Sequence, residues 1–156
     1  MKVSERAIEL IKKYEGFSHR MYTCPAGKLT IGYGHVVFAD ADKFKYKDGI
    51  SEFEANKLLL DDCKIVETFI NNNLKLDYQS EFDALVSLIY NIGINKFKKS
   101  KAYELLKKRD YGGAVFQMFD EKSGFVRVDT KILPGLVKRR QDEYKLWFKD
   151  YVRAAS

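Results

Sequence analysis

The chain reads as a helix-rich α+β protein with a small N-terminal lobe built on a β-hairpin and a larger C-terminal helical lobe, the two joined by a long helix. Three observations carry that expectation. Apolar residues recur at helical spacing in the first fifteen residues and almost throughout the chain after Ser80. A hairpin signature, Pro25-Ala26-Gly27-Lys28 between two apolar runs, falls between those stretches, with Pro supplying a fixed φ and Gly a positive one. A capping box, Ser51-Glu52-Phe53-Glu54, then opens a helix long enough to bridge two lobes. At 156 residues the chain suits one domain, residues 1–156, with lobes at approximately 1–60 and 75–156 and no Pro/Ser-rich linker or repeat between them.

Taken in order, Val3, Ala7, Leu10, Ile11 and Tyr14 mark a first helix behind a Ser4 cap. Tyr22–Cys24 and Leu29–Tyr33 read as the hairpin strands. The mixed stretch Val36–Asp48 reads as a loop and a third short strand. After Ser51, Ala55, Leu58, Leu59, Val66, Phe69 and Ile70 sustain the long helix until Asn71-Asn72-Asn73 ends it. Phe82, Leu85, Val86, Leu88 and Ile89 mark a buried core helix. Ser100 caps the next helix, which ends near Arg109, and Tyr111-Gly112-Gly113 is read as a break before Ala114–Phe119. Pro134 suits the first position of a last helix reaching about Val152.

The formal charge of +6, from 28 basic and 22 acidic residues, favours a polyanionic partner, with clusters at Lys96–Lys101, Lys107–Arg109 and Lys138–Arg140. No helix-turn-helix, zinc or base-stacking signature accompanies the charge, so nucleic acid is not the expected partner. No segment approaches the ~20 apolar residues of a membrane span. The N-terminus, Met1-Lys2-Val3-Ser4-Glu5-Arg6, lacks the apolar core of a secretory signal. Cys24 and Cys63 show neither metal spacing nor the density of a disulfide scaffold, and both are read as reduced.

The most informative stretch is Glu15–His35. It gathers a carboxylic acid, a thiol, a hydroxyl and an imidazole (Glu15, Cys24, Thr30, His35) around the hairpin, where the chain reverses twice within one small volume. A helix C-terminus disfavours negative charge, so a carboxylate at Glu15 needs a further reason to be there. Tyr14, Phe17 and Tyr22 could give it the apolar surroundings that keep a carboxyl protonated. The glycines of Ile31-Gly32-Tyr33-Gly34 either admit a close approach of ligand or backbone or mark a bend.

Glu15, eight residues, Cys24, five residues, Thr30, and then Ile-Gly-Tyr-Gly-His35 resembles the catalytic segment of the phage-type lysozymes, the endolysins of glycoside hydrolase family 24. Ala84–Gly93, Phe97–Ser100 and Leu133–Arg140 resemble later blocks of that family in the same order, so the likeness spans most of the chain. It implies a lysozyme-like fold and a peptidoglycan hydrolase that cuts between N-acetylmuramic acid and N-acetylglucosamine, lysing the host without metal or cofactor. Glu15 is then the general acid and Thr30 the holder of a water. Cys24 stands where the family most often has Asp, and three roles stay open for it: base, nucleophile, or small half-buried hydrophobe.

Substrate-binding roles fall to His35, Tyr90, Asn91 and Ser100, each with a structural alternative. His35 is suited to pairing with Asp61 or Asp62 on the long helix. Tyr90 and Asn91 offer a stacking face and an amide, or a core edge. Ser100 is a helix cap first. The resemblance implies that Arg139 and Arg140 place one guanidinium near Glu15, with the other in solvent. The expected partner is the glycan strand, with weak binding to anionic envelope surfaces, no stable membrane insertion and a monomeric state. The expected localisation is the host cytoplasm, with access to the wall through a separate membrane pore. Two rivals stand beside this reading: a lytic transglycosylase, which needs only one acid/base carboxylate, and a non-catalytic wall- or membrane-disrupting module resting on Leu136, Trp147, Phe148 and Val152 of the basic last helix.

Overall fold

The first helix, α1 (Glu5–Glu15), begins behind Ser4, whose extended backbone places it at the N-cap. Its side chain does not cap the helix. In the computed structural model, which describes all 156 residues, the Ser4 hydroxyl and N–H both donate to the carboxylate of Asp83, at 2.5 and 2.9 Å. Asp83 is fully buried and lies on α4 (Gln79–Ile92). Ala7, Ile8 and Ile11 bury the same face of α1, which packs on α4. The first fifteen residues therefore sit with the helical body rather than with the sheet.

Three antiparallel strands follow, β1 (Ser18–Thr23), β2 (Leu29–Gly32) and β3 (His35–Val36), in the order β1-β2-β3. The first strand starts earlier than its apolar run suggested and ends at Thr23, which leaves Cys24 in the turn. Thr23 pairs with Leu29 and Tyr22 with Thr30, and the register slips between Ser18 and Tyr22. Cys24 closes the turn with its backbone: its carbonyl accepts from Gly27 N–H (2.8 Å) and its N–H donates to Lys28 O (2.9 Å). The segment beyond β3 is not all loop. It holds a short helix, α2 (Asp40–Lys45), which buries no residue and so has no apolar periodicity to announce it. Asp40 and Asp42 at its start and Lys43 and Lys45 at its end complement the helix dipole instead.

The capping box forms as read: Ser51 Oγ accepts from Glu54 N–H at 3.1 Å, and α3 (Glu52–Asn73) runs for 22 residues. Ala55, Leu59, Cys63, Val66 and Ile70 form its buried stripe. The stripe meets β2 at one end and α4 further along, so one rigid element joins sheet to helical body. On its flank, Asp62 takes His35 Nδ1 at 2.7 Å, tying β3 to α3. This hydrogen bond raises the His35 pKa above its ordinary value, against the opposing effect of burial. A raised folded value means the pair stabilises fully below the unfolded pKa of about 6.5 and loses that contribution as pH climbs through the folded value. Thermal melts across that range should show a stability loss of about 1 kcal/mol that Asp62→Asn abolishes; an Asp62→Asn curve parallel to the parent's would dispose of the pair as its source.

Every residue of α4 from Ser80 to Ile89 is buried, and each polar one has a partner, as burial demands. Ser80 Oγ donates to Trp147 O (2.8 Å), Glu81 accepts from the N–H groups of Asp77 and Tyr78, and Ser87 Oγ donates to Glu143 (2.7 Å). Around α4 lie α5 (Ile94–Lys98), α6 (Lys101–Lys107) and α7 (Tyr111–Phe119), then a two-stranded ribbon, β4 (Arg127–Val128) with β5 (Lys131–Ile132), and last α8 (Pro134–Trp147) and α9 (Lys149–Ala155). Tyr111-Gly112-Gly113 does not break the chain. It forms the first turn of α7, because the Asp110 side chain accepts from Gly113 N–H at 3.0 Å and satisfies a free donor there. The last helix is interrupted at Phe148, where Asp150 turns back to take Arg6 and the Ser80 N–H. Trp147 is fully buried, so the main apolar residue of this basic end packs on the protein itself, and no helix is long and apolar enough to cross a membrane.

Candidate active site

Glu15 is the last residue of α1, at the point where the helical body hands over to the sheet. Gly16, at φ 67°, ends the helix and lets the chain turn into β1. The reason a carboxylate tolerates this end is Arg139 on α8, whose Nη1 donates to Glu15 Oε1 at 2.6 Å. The Arg139 side chain is only 4% exposed and that of Glu15 19%, so the pair is largely shielded. The aromatic surroundings expected for Glu15 are mostly turned elsewhere. Tyr14 donates to Asp142 and lays its ring 5.6 Å from the Arg139 guanidinium, while Phe17 packs on Tyr33 at 5.7 Å and stays 42% exposed. Tyr22 lies near enough to the site that its phenol is raised first by burial and then by the charges of Glu15 and Cys24.

The other wall of Glu15 is backbone. A Cβ placed on Gly34, where φ is 80°, would lie 2.7 Å from Glu15 Oε2. The group whose close approach this glycine permits is thus the carboxylate. Gly34→Ala should combine positive-φ strain of ~1–2 kcal/mol with displacement of Glu15. Wall-clearing activity is expected to fall about 100-fold while the protein still melts cooperatively; undiminished clearing would show that the position of Glu15 is not critical.

Across the junction, Cys24 is a free, half-buried thiol. Burial raises its pKa, but the backbone N–H groups of Lys28 and Ala26, the Thr30 hydroxyl and the Lys28 charge outweigh burial and hold it below the ordinary thiol value. Thr30 is 3% exposed and its hydroxyl lies 2.9 Å from Lys28 O. A hydroxyl has one proton, so Thr30 gives it to Lys28 O or, when Cys24 ionises, to the sulfur. Its lone pairs stay open to a further donor.

Of the remaining candidates, His35 faces α3 and Asp62. The Tyr90 hydroxyl is spent on Tyr33 O, and burial above all raises its phenol, with Asp62 and Glu15 adding to it. That hydroxyl anchors the turn carrying Gly34, next to the site but not open to it. Ser100 accepts from Tyr103 N–H (3.2 Å) and donates to Phe97 O (2.6 Å), a cap as expected. Asn91 differs: its Oδ1 is buried without a hydrogen-bond partner. Arg140 corrects its expectation outright. It is not in solvent but fully buried, bound to Glu143 and Phe125 O. Sequence reasoning passed over Glu143, because its i,i+4 spacing from Arg139 is that of any exposed helix pair and gives no sign that the residue is fully buried.

Residues 12–143 match the phage lysozyme family. Over 148 residues the chain is 35% identical to an endolysin of Acyrthosiphon pisum secondary endosymbiont phage 1, covering 94% of this chain and 98% of that protein. It is 38% identical to the endolysin of Bacillus phage B103, covering 94% of this chain but 54% of that longer protein. The muramidase domain of SpmX from Asticaccaulis excentricus superposes with a TM-score of 0.76 at 29% identity, covering 95% of this chain and 98% of that one.

Proposed function

Since the chain belongs to the phage lysozyme family and is a peptidoglycan hydrolase of host lysis, we propose that it acts as a muramidase, cutting the β-1,4 bond between N-acetylmuramic acid and N-acetylglucosamine, with Glu15 as general acid. The observation that carries this reading is the placement of Glu15: held by Arg139, backed by Gly34, and facing a hairpin that presents Cys24 and Thr30. Glycoside hydrolysis needs a proton for the departing oxygen and a group across the ring to deliver water or attack the sugar. Glu15 supplies the first. Thr30 holds the water, and Cys24, as thiolate, takes its proton. Asn91 Oδ1 is closed off from solvent, so it is the open amide N–H of this side chain that is suited to a carbonyl such as that of an N-acetyl group. His35, Tyr90 and Ser100 support the site through the fold. The enzyme works as a monomer, its basic surface adding weak attraction to anionic envelope polymers, and it reaches the wall after release from the cytoplasm through a separate pore.

Digestion of purified walls followed by mass spectrometry tests the bond and the reaction together. Fragments ending in reducing N-acetylmuramic acid are expected. Reducing N-acetylglucosamine ends would move the cut to the other linkage, and products lighter by one water, with anhydro-muramic ends, would replace hydrolysis by internal cyclisation.

A further inference from the structure

Arg139 stands 2.6 Å from the carboxylate of the proposed acid, so whatever holds Arg139 and balances its charge also sets the position of Glu15 and the field it faces. Behind Arg139 the structure holds such a group. Glu143 is fully buried, and its Oε1 accepts from Arg139 Nε (3.2 Å), Arg140 Nη2 (2.9 Å) and Ser87 Oγ (2.7 Å). Its Oε2 lies 2.7 Å from Arg140 Nε, an ion pair by distance though not an aligned hydrogen bond. Arg139 Nη2 donates to Ser87 O at 3.2 Å, so the guanidinium is gripped on three sides: α4, α8 and Glu15.

We propose that Glu143 is a positioning residue for the reaction: it fixes Arg139 against Glu15 and sets how much positive charge Glu15 faces, and with it the pH range over which Glu15 delivers its proton. The proposal rests on Glu15 being the acid. Two buried guanidiniums against one buried carboxylate leave a single net positive charge toward Glu15. The other titratable groups facing this cluster are Tyr14 from α1, Tyr22 from β1 with Cys24 beyond it, and Tyr90 from α4. Tyr14, Tyr22 and Tyr90 all have raised phenols and stay neutral in the working range; Cys24 is the same in the parent and in variants of the buried cluster, so Glu143 is the buried countercharge whose change is read. Arg140 is what keeps Glu143 from neutralising Arg139 entirely.

The test reads the descending limb of the pH profile, where activity falls because the acid loses its proton; a thiolate base gives a rising limb instead. Glu143→Gln leaves two positive charges and should move the descending limb of kcat/KM to lower pH by roughly one unit. Arg140→Met leaves none and should move it to higher pH by a similar amount, with KM for walls near the parent's in both. Damage to packing lowers rate and melting temperature but does not shift the limb in opposite directions. Limbs that coincide with the parent's, or move the same way, overturn the proposal. Should Glu143→Gln fail to fold, Arg140→Met decides alone, because Glu143 keeps Arg139 and Ser87; an unmoved or acid-shifted limb then overturns it. Activity of Glu15→Gln is the separate control: full activity there removes the acid assignment whatever the limbs do.

Discussion

Glu15→Gln is expected to give a folded protein whose wall-clearing rate is at least ~1000-fold below that of the parent, because the substitution removes a proton and almost nothing else. Gln keeps an oxygen to accept from Arg139 Nη1 and occupies the same space against Gly34. The melting temperature should therefore move little. Clearing of suspended walls, measured beside a thermal melt, checks both halves of the expectation. If the folded variant clears walls at the parent's rate, chemistry at Glu15 is not the source of lysis, and a membrane-active basic helix becomes the better explanation. The burial of Trp147 in the protein core argues against that outcome.

What could be read from the residues alone follows the range of the interactions that set them. The α3 start at Ser51-Glu52-Phe53-Glu54, its end at Asn73, the β1–β2 turn at Pro25–Lys28 and the buried α4 stripe are decided within a few residues, and these were legible. Ser4 was placed correctly at the head of α1, but its hydroxyl goes to Asp83, seventy-nine positions away, which no local rule predicts. The short α2 is not legible because it buries nothing. Within the site, the order of Glu15, Cys24 and Thr30 along the chain is legible as a motif, and a pairing of His35 with Asp61 or Asp62 as complementary groups on adjacent elements, which the structure settles as Asp62. Arg140 and Glu143 were not legible. Charged residues on a helix are ordinarily solvated, and the run Lys138-Arg139-Arg140-Gln141-Asp142-Glu143 looks like a surface face until its tertiary partners are known. The site is thus half local motif and half long-range charge pairing, and the second half places Glu15.

The thiol is where residue chemistry and geometry make the sharpest joint demand. If Cys24 serves as base for a water held by Thr30, Cys24→Ala should lose activity by ~100-fold or more, while Cys24→Asp should stay active and work at lower pH. The direction follows from the groups that ionise. A carboxylate loses its proton near pH 4 and an ordinary thiol near 8.5. Cys24 sits below the ordinary thiol value, since the Lys28 and Ala26 N–H groups, the Thr30 hydroxyl and the Lys28 charge outweigh its burial. The rising limb of the parent should accordingly lie below the ordinary thiol value and drop towards the carboxylate value in Cys24→Asp. The stereochemistry separates base from nucleophile: water attack inverts the anomeric centre, whereas attack by sulfur forms a thioglycosyl adduct and retains it after hydrolysis. Proton NMR of the first-formed anomer distinguishes the two routes, with inversion expected, since Thr30 stands beside the sulfur with lone pairs free to hold a water. A Cys24→Ala protein with undiminished rate would reduce the thiol to a packing group and leave Glu15 to work with water held by Thr30 alone.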